Sequence, residues 1–335
     1  MLVLGIESSC DETAASVVSD GVKILSNVIA SQVNIHSRYG GVVPEVASRH
    51  HIEAIIPVIG EALKGAGVSI GDIEGIAVTR GPGLIGSLLV GVSVAKSIAF
   101  ARNLPCVGVN HIAGHIGALF LIENVPAFPF VSLVVSGGHT HIYKVDNYDR
   151  FTLLGQTRDD AAGEAFDKAA KMMNLGYPGG VIIDTMAKKG DPGKIDFPRA
   201  MKKSTDFSFS GLKTALLNYL KTLNHFPGQE DICDIAASFQ DAIVDVLVEK
   251  TLRAAEESCI SRVALSGGVA SNTRLRKVFM EESAKKGIEL FIPPPLLCTD
   301  NAAMIAAIGS QYLEKGISDA LDMNAVSRWP LGSGR

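Results

Sequence analysis

Apolar and polar positions fall into short blocks along the start of the chain. Leu2–Glu7 is an apolar run ending in an acid, and Ser8–Thr13 is a polar turn. Ala14–Val18 and Val22–Val28 are two further short β runs, and the Asp20-Gly21 pair between them marks a hairpin. Ser48–Leu63 places its apolar side chains at helical spacing, with Pro57 expected to kink or break the helix. Ile76–Thr79 reads as a buried strand, Gly81-Pro-Gly83 as a turn, Leu84–Ala101 as a buried helix and Pro105–Val109 as another strand. Strands alternating with helices imply a largely parallel, covered sheet.

A similar order returns from Phe130. Phe130–Val135 is an apolar strand, Ser136–Thr140 a polar turn, and His141–Val145 and Phe151–Gln156 two more strands, with a helix over Ala161–Met173. Val263–Leu265 leads through Ser266–Ser271 into a helix from Asn272, Ile288–Ile292 is the last strand, and Asn301–Leu313 is the last long helix. The repetition predicts a duplicated architecture: two α/β lobes facing each other across a cleft. The region of about residues 185–230, ahead of a helix from Asp231, reads as irregular. Over Thr185–Lys221 it holds eight basic side chains against three acidic ones, with Phe197, Phe207 and Phe209 interleaved. That composition suits either an RNA surface or a solvated loop whose phenylalanines seal a small core.

The bulk numbers narrow the class. A chain of 335 residues fits two domains, and 47% hydrophobic against 20% charged residues describes a well-buried protein. With 31 basic and 35 acidic residues the net charge is −4, so any polyanion must meet a local patch. The five cysteines are scattered, odd in number and without a CxxC pair, as in a reducing compartment. Met1–Ile6 lacks a basic leader, and Leu84–Ala101 is interrupted by glycine, serine and Lys96, so the expectation is a cytoplasmic protein with no membrane segment.

Candidate chemistry begins at His111-Ile-Ala-Gly-His115, two imidazoles one helical turn apart just after a buried strand. Such a pair can converge on one cation, with Asp300 as the candidate third ligand. Ile112 stands where a zincin protease needs its glutamate, which disfavours peptidase chemistry. Two histidines and a carboxylate leave coordination sites open for anionic substrate oxygens. Ser136-Gly137-Gly138 and Ser266-Gly267-Gly268 each follow a buried strand, where glycine lets backbone N–H groups approach an anion; no GxxxxGK[ST] P-loop occurs. Asp167, Gly179-Gly180 and Asp184 form a cluster suited to ribose hydroxyls, or Asp167 is a plain helix-face charge beside Lys168 and Lys171. Glu7, Asp11 and Glu12 crowd the first polar turn, where mutual repulsion can raise one pKa for proton transfer. The tail after Trp329-Pro-Leu shows no motif.

Six blocks, in order from end to end, resemble one family: Gly5–Thr13, Asn110–His115, Val134–Thr140, Phe207–Lys213, Ser266–Asn272 and Cys298–Met304. They are similar to the TsaD family, the tRNA threonylcarbamoyladenosine transferases once labelled glycoproteases, in the bacterial form. The resemblance implies an actin/Hsp70/sugar-kinase (ASKHA) fold with duplicated RNase H-like domains and a central cleft. Lobe I would span residues 1–125 with 300–335, and lobe II residues 126–299. It implies transfer of a threonylcarbamoyl group from threonylcarbamoyl-AMP to N6 of adenosine 37 in tRNAs reading ANN codons, releasing AMP.

The same resemblance implies roles for residues. His111, His115 and Asp300 would hold one divalent metal, with Fe(2+) expected and Zn or Mn as alternatives. Val134, Val135, Ser136, Gly137 and Gly138 would cradle the acyl-adenylate. Asp167, Gly180 and Asp184 would hold the ribose, and Asn272 would contact the nucleotide. The anhydride is already activated, so positioning and charge stabilisation suffice, with Asp11 or Glu12 orienting the amine or accepting its proton. Implied partners are the tRNA anticodon loop, a smaller paralogue of the same fold, docking on the apolar face of Ser48–Leu63 or of the second amphipathic helix, and a P-loop ATPase. The alternatives are an ATP-dependent phosphotransferase of the same fold and a non-catalytic scaffold.

Overall fold

The computed structural model describes residues 1–223 and 227–333; residues 224–226 of the basic segment and the last two of the tail lie outside the described residues. Two compact units emerge: Met1–Val125 joined by the chain from Leu296 onward, and Pro126–Pro295.

In the first unit β1 (Leu2–Glu7), β2 (Glu12–Ser19) and β3 (Lys23–Ser31) form an antiparallel meander. Its hairpin turns through Asp20 and Gly21, both at positive φ (54° and 69°), as an Asp-Gly pair permits. Then come α1 (Val33–His36), a short 3-10 turn and α2 (Pro44–Ala66). The expected break at Pro57 is absent: α2 is one helix of 23 residues. Pro57 lies on the exposed side, while Ile55, Val58 and Ile59 stay buried around it and hold the helix together.

Next follow β4 (Gly75–Gly81), α3 (Ile85–Arg102), β5 (Cys106–Asn110) and α4 (His111–Gly117). β1, β4 and β5 run parallel, giving the order β3-β2-β1-β4-β5. The helix expected to be buried over Leu84–Ala101 is buried on one face only. Leu88, Val92, Ala95 and Ala99 recur at helical spacing against the sheet, whereas Ile85, Leu89 and Phe100 face outward. By length and composition alone α3 could cross a membrane; here it packs on β4 and α2.

The second unit repeats this plan strand for strand. β6 (Phe130–Val135), β7 (Thr140–Asn147) and β8 (Arg150–Gln156) are antiparallel, and β9 (Arg262–Ser266) and β10 (Glu289–Phe291) add in parallel on the other side of β6. The sheet order is β10-β9-β6-β7-β8. Between β8 and β9 lie α5 (Ala162–Met172), α6 (Gly179–Ala187), α7 (Ser210–Thr222) and the 29-residue α8 (Gln229–Glu257); α9 (Thr273–Lys285) precedes β10. The segment read as irregular thus contains α7. Its aromatics form a core, with Phe197, Phe207 and Phe209 at most 2% exposed. Phe207 stacks on Phe209, and Phe197 meets Phe239 of α8 edge-on. These rings are therefore not available to unstacked RNA bases; the solvated-loop alternative describes them, because burying them stabilises the segment more than exposure would.

The chain re-enters the first unit through α10 (Pro295–Cys298) and closes with α11 (Ala302–Glu314), which lies on β1, β4 and β2 opposite α2 and α3. Helices on both faces explain why β1 reads as one apolar run.

Candidate metal centre and donor-binding residues

β1, β4 and β5 are parallel, so their carboxyl ends share one edge of the first sheet, the usual place for ligand-binding groups. β5 ends at Asn110, whose Oδ1 accepts from Ile112 N (2.9 Å) and caps α4. His111 is therefore the first helical residue and His115 lies one turn on. α4 also carries two notches, Gly114 and Gly117. A Cβ on Gly114 would come within 2.6 Å of Ile305, and one on Gly117 within 2.8 Å of the Met304 carbonyl. Only glycine lets α11 approach this closely. Asn301 caps α11 by accepting from Met304 N (3.0 Å), which leaves Asp300 just ahead of the helix and against the two rings.

Asp300 Oδ1 lies 3.3 Å from His115 Nε2 and 3.6 Å from His111 Nε2, and the ligand atoms of all three lie within 4.8 Å of one another. Ligands about 2.1 Å from a tetrahedral ion would be about 3.4 Å apart, so the spacing suits one cation. Both ring nitrogens of His115 are buried without a hydrogen-bond partner. Burial holds His115 low, toward the neutral form that ligates. At His111 burial opposes charge, but Asp300 and Glu7 override it and raise the ring to about 9. Two carboxylates thus call for a positive charge at this spot. The trio is compatible with a single metal ion.

Glu7 does not join Asp11 and Glu12. It is fully buried, and its Oε2 lies 3.1 Å from His111 Nδ1 and accepts from Thr79 Oγ1 (2.7 Å). Its Oε1 accepts from Ser9 N (2.5 Å). Burial works to raise the Glu7 carboxyl, but His111 and Thr79 bring it below the usual carboxylate value. Asp11 is raised by burial and by Asp300. Glu12 opens β2 opposite Ser31, whose Oγ donates to Glu12 Oε1 (2.8 Å), while Glu12 Oε2 is buried without a partner. Burial first, then Asp11 and Asp300, push Glu12 up to about 7. The repulsion expected from Glu7 comes instead from Asp300.

In the second unit Val134 and Val135 are buried in β6, and Val134 pairs with Ser266 of β9, so both Ser-Gly-Gly turns share one sheet edge. Gly267, at φ 90°, packs against the Val135 carbonyl, where a Cβ would come within 2.3 Å. Ser136 accepts at its carbonyl from Gly163 N (3.2 Å) in the first turn of α5, and Gly137 and Gly138 face open space. Asp167 Oδ1 accepts from Gly179 N (2.8 Å), tying α5 to the start of α6, and Gly180 follows, where a Cβ would meet Phe166 at 3.9 Å. Asp184 accepts from Thr273 Oγ1 (2.8 Å) and N (3.2 Å) and pairs with Lys188 (3.3 Å). Asn272 caps α9 and donates through Nδ2 to Gln240 Oε1 (2.7 Å). Asp184 and Asn272 therefore meet at the head of α9, and Asp167 stands with Gly179.

Several supporting groups escaped the sequence reading. The sequence singles out Glu7 with the acidic turn but not its support of His111, for which an acid ending a largely buried strand was the available signal. Gln240 and Thr273 gave none. Trp329, which stands ahead of the motif-free tail, gave none either: Asn110 Nδ2 donates to the Trp329 carbonyl (2.9 Å), and Arg80 lies 5.3 Å over the Trp329 ring.

Sheet order and duplicated units define an α/β protein of the ASKHA fold. Solved structures agree on the fold: full-length HypF aligns with a TM-score of 0.64 at 15% identity, covering 93% of this chain and 46% of that one. Component A of (R)-2-hydroxyglutaryl-CoA dehydratase from Acidaminococcus fermentans aligns with 0.55 at 18% identity, over 94% of this chain and 99% of that one.

Sequence comparison narrows the class to one family. The profile described as TsaD, tRNA N6-adenosine threonylcarbamoyltransferase, matches residues 23–307. Curated proteins of that name from Syntrophus aciditrophicus (66% identical, 99% of this chain and 98% of the relative) and Geobacter sulfurreducens (58%, 100% and 99%) match throughout. The chain belongs to the tRNA N6-adenosine threonylcarbamoyltransferase family.

Proposed function

We propose that this chain transfers the threonylcarbamoyl group of threonylcarbamoyl-AMP to N6 of adenosine 37 in tRNAs reading ANN codons. The N6–carbon bond forms, the acyl–phosphate bond breaks, N6 gives up a proton and AMP leaves. The observation that carries this reading is the convergence of His111, His115 and Asp300 in a chain of this family. Those three would hold one divalent metal, Fe(2+) in the first instance and Zn or Mn otherwise, supplying Lewis-acid and orienting chemistry for anionic oxygens.

The protein's own groups do the rest. The open backbone of Ser136–Gly138 receives anionic oxygens of the donor after Val134 and Val135 set the turn. Asp167, Gly180, Asp184 and Asn272 frame its nucleoside, with Asp184 and Asn272 held rigid by Thr273 and Gln240. Glu12, poised near neutrality with one unpartnered oxygen, takes the N6 proton, and Asp11 helps orient the amine.

Exposed apolar side chains support docking of a smaller paralogue of the same fold on the first unit. Ile52 and Ile56 of α2 are 64% and 62% exposed, and Ile85, Leu89 and Phe100 of neighbouring α3 continue the surface. A P-loop ATPase rests on the family resemblance. All five cysteines are free thiols, which supports a cytoplasmic setting.

The test is incubation with threonylcarbamoyl-adenylate and unmodified tRNA, followed by mass detection of the modified nucleoside and elemental analysis of the protein. Phosphate transfer from ATP with unmodified tRNA would establish a phosphotransferase instead. Full activity of both His111→Ala and Asp300→Ala would remove the trio from the chemistry.

A further inference from the structure

With Phe197, Phe207 and Phe209 buried, an aromatic face for RNA must come from elsewhere. Among the described residues the exposed large aromatics are Tyr39, at 59%, and Phe100, at 77%. They stand at opposite edges of the first sheet. β3 is antiparallel to β2, which is antiparallel to β1, so β3 ends at the edge where β1 delivers Glu7 and β2 begins with Glu12. The chain continues from Ser31 through α1 to Tyr39 without leaving that edge. α3 instead runs from the end of β4 back to the start of β5, which carries Phe100 to the far edge.

The turn bearing Tyr39 is anchored beneath. Gln32 donates through its backbone N–H to the Asp11 carbonyl (3.1 Å), which couples the turn to the acidic loop. His36 is fully buried as a peg: Nε2 lies 3.2 Å from Gln32 Oε1, Nδ1 accepts from Val43 N (3.3 Å), and its carbonyl accepts from Gly41 N (3.4 Å). Gly40, at φ 69°, lets the chain reverse directly after Tyr39. The peg faces inward while Arg38 and Tyr39 face solvent.

We propose that Tyr39 is a stacking platform for an unstacked base of the tRNA anticodon loop, with Arg38 contacting the adjoining phosphate. This rests on the transfer reading above. To reach N6, the enzyme must hold adenosine out of its stack, and a flat aromatic face beside the acidic turn replaces the stacking the base gives up. The adjacent guanidinium supplies the phosphate contact.

The test uses the full-length protein and an unmodified tRNA transcript reading an ANN codon. Binding is followed by fluorescence anisotropy and transfer by steady-state kinetics. Tyr39→Ala is expected to weaken binding about 5- to 150-fold, the range for loss of one stacked base, with the loss appearing in KM for tRNA. Tyr39→Phe retains the ring and binds within about twofold of the parent. Arg38→Gln lowers the salt slope of log affinity by about one. The thermal midpoint of Tyr39→Ala stays close to the parent, because the residue is mostly exposed. Parental affinity for Tyr39→Ala, or equal losses for Phe and Ala, overturns the platform while leaving transfer intact. A parent protein that neither binds nor modifies the transcript overturns the transfer reading, and the platform with it.

Discussion

Glu7 Oε2 stands 3.1 Å from Nδ1 of His111, and the opposite nitrogen of that ring faces Asp300 at 3.6 Å. A carboxylate on one side of an imidazole fixes both its tautomer and its direction, so the lone pair on Nε2 points to the shared position. The strand that ends in Glu7 and the helix that starts at His111 are neighbours only through the parallel sheet.

Removing that support is expected to weaken the metal centre without touching a ligand. Glu7→Ala should lower metal affinity by about 10- to 100-fold. Metal retained after dialysis against a graded chelator series measures it directly. Retention equal to the parent would assign Glu7 to packing alone.

Removing a ligand acts on the reaction itself. Asp300→Ala and His115→Ala should each reduce transfer by at least ~10²-fold, the scale for losing a strong electrostatic group. Modified-nucleoside formation under single-turnover conditions is the measurement. Near-normal transfer by either variant, or by metal-stripped protein, contradicts a role for the trio.

Glu12 sets a pH dependence. Acting as proton acceptor it must be ionised, so kcat/KM should rise with pH through about 7, where burial with Asp11 and Asp300 places this carboxyl. Glu12→Gln should remove that inflection. The sign for stability is opposite. Between the ordinary glutamate value and about 7 the folded protein holds a proton that the unfolded chain has released, so stability falls as pH rises through this window. Thermal midpoints of Glu12→Gln should therefore fall less over it than those of the parent, and parallel curves would contradict the raised value.

Lys250, 1% exposed on α8, donates to the carbonyls of Met201 (3.0 Å) and Asp206 and lies 5.5 Å over the Phe207 ring. Arg253, one turn on, donates to the carbonyls of Lys202 and Ser204. Side chains of α8 thus clamp the loop's carbonyls, adding to its own bond from Ser204 N–H to the Met201 carbonyl (3.0 Å). Lys250→Met leaves the Asp206 carbonyl without its donor, while Met201 keeps the Ser204 N–H (3.0 Å), and should cost about 1–3 kcal/mol of stability. Denaturant midpoints and protease cleavage in this loop report it; unchanged values for both would show that the clamp is idle.

Much of this was legible from local pattern. The β runs, the Asp-Gly hairpin and the one-turn spacing of His111 and His115 follow from periods and turn chemistry acting over a few residues. Where local pattern misled, a distant neighbour had decided. Pro57 stays within an unbroken α2 because three apolar neighbours bury against the sheet. α3, apolar nearly all round, leaves Ile85 and Phe100 outside because the sheet covers one face only. The phenylalanines of the basic segment look the same in sequence whether they await a base or fill a core.

The sequence by itself determined the strands and helices, the histidine pair and, through its six blocks, the family. Tertiary structure alone decided that Asp300 meets that pair, that Glu7 turns to His111 rather than to Asp11 and Glu12, and that Tyr39 shares their sheet edge. Periodicity records only which way neighbouring side chains point. Contact across half the chain depends on strand order and on how closely two helices approach, here set by Gly114 and Gly117 fitting against α11.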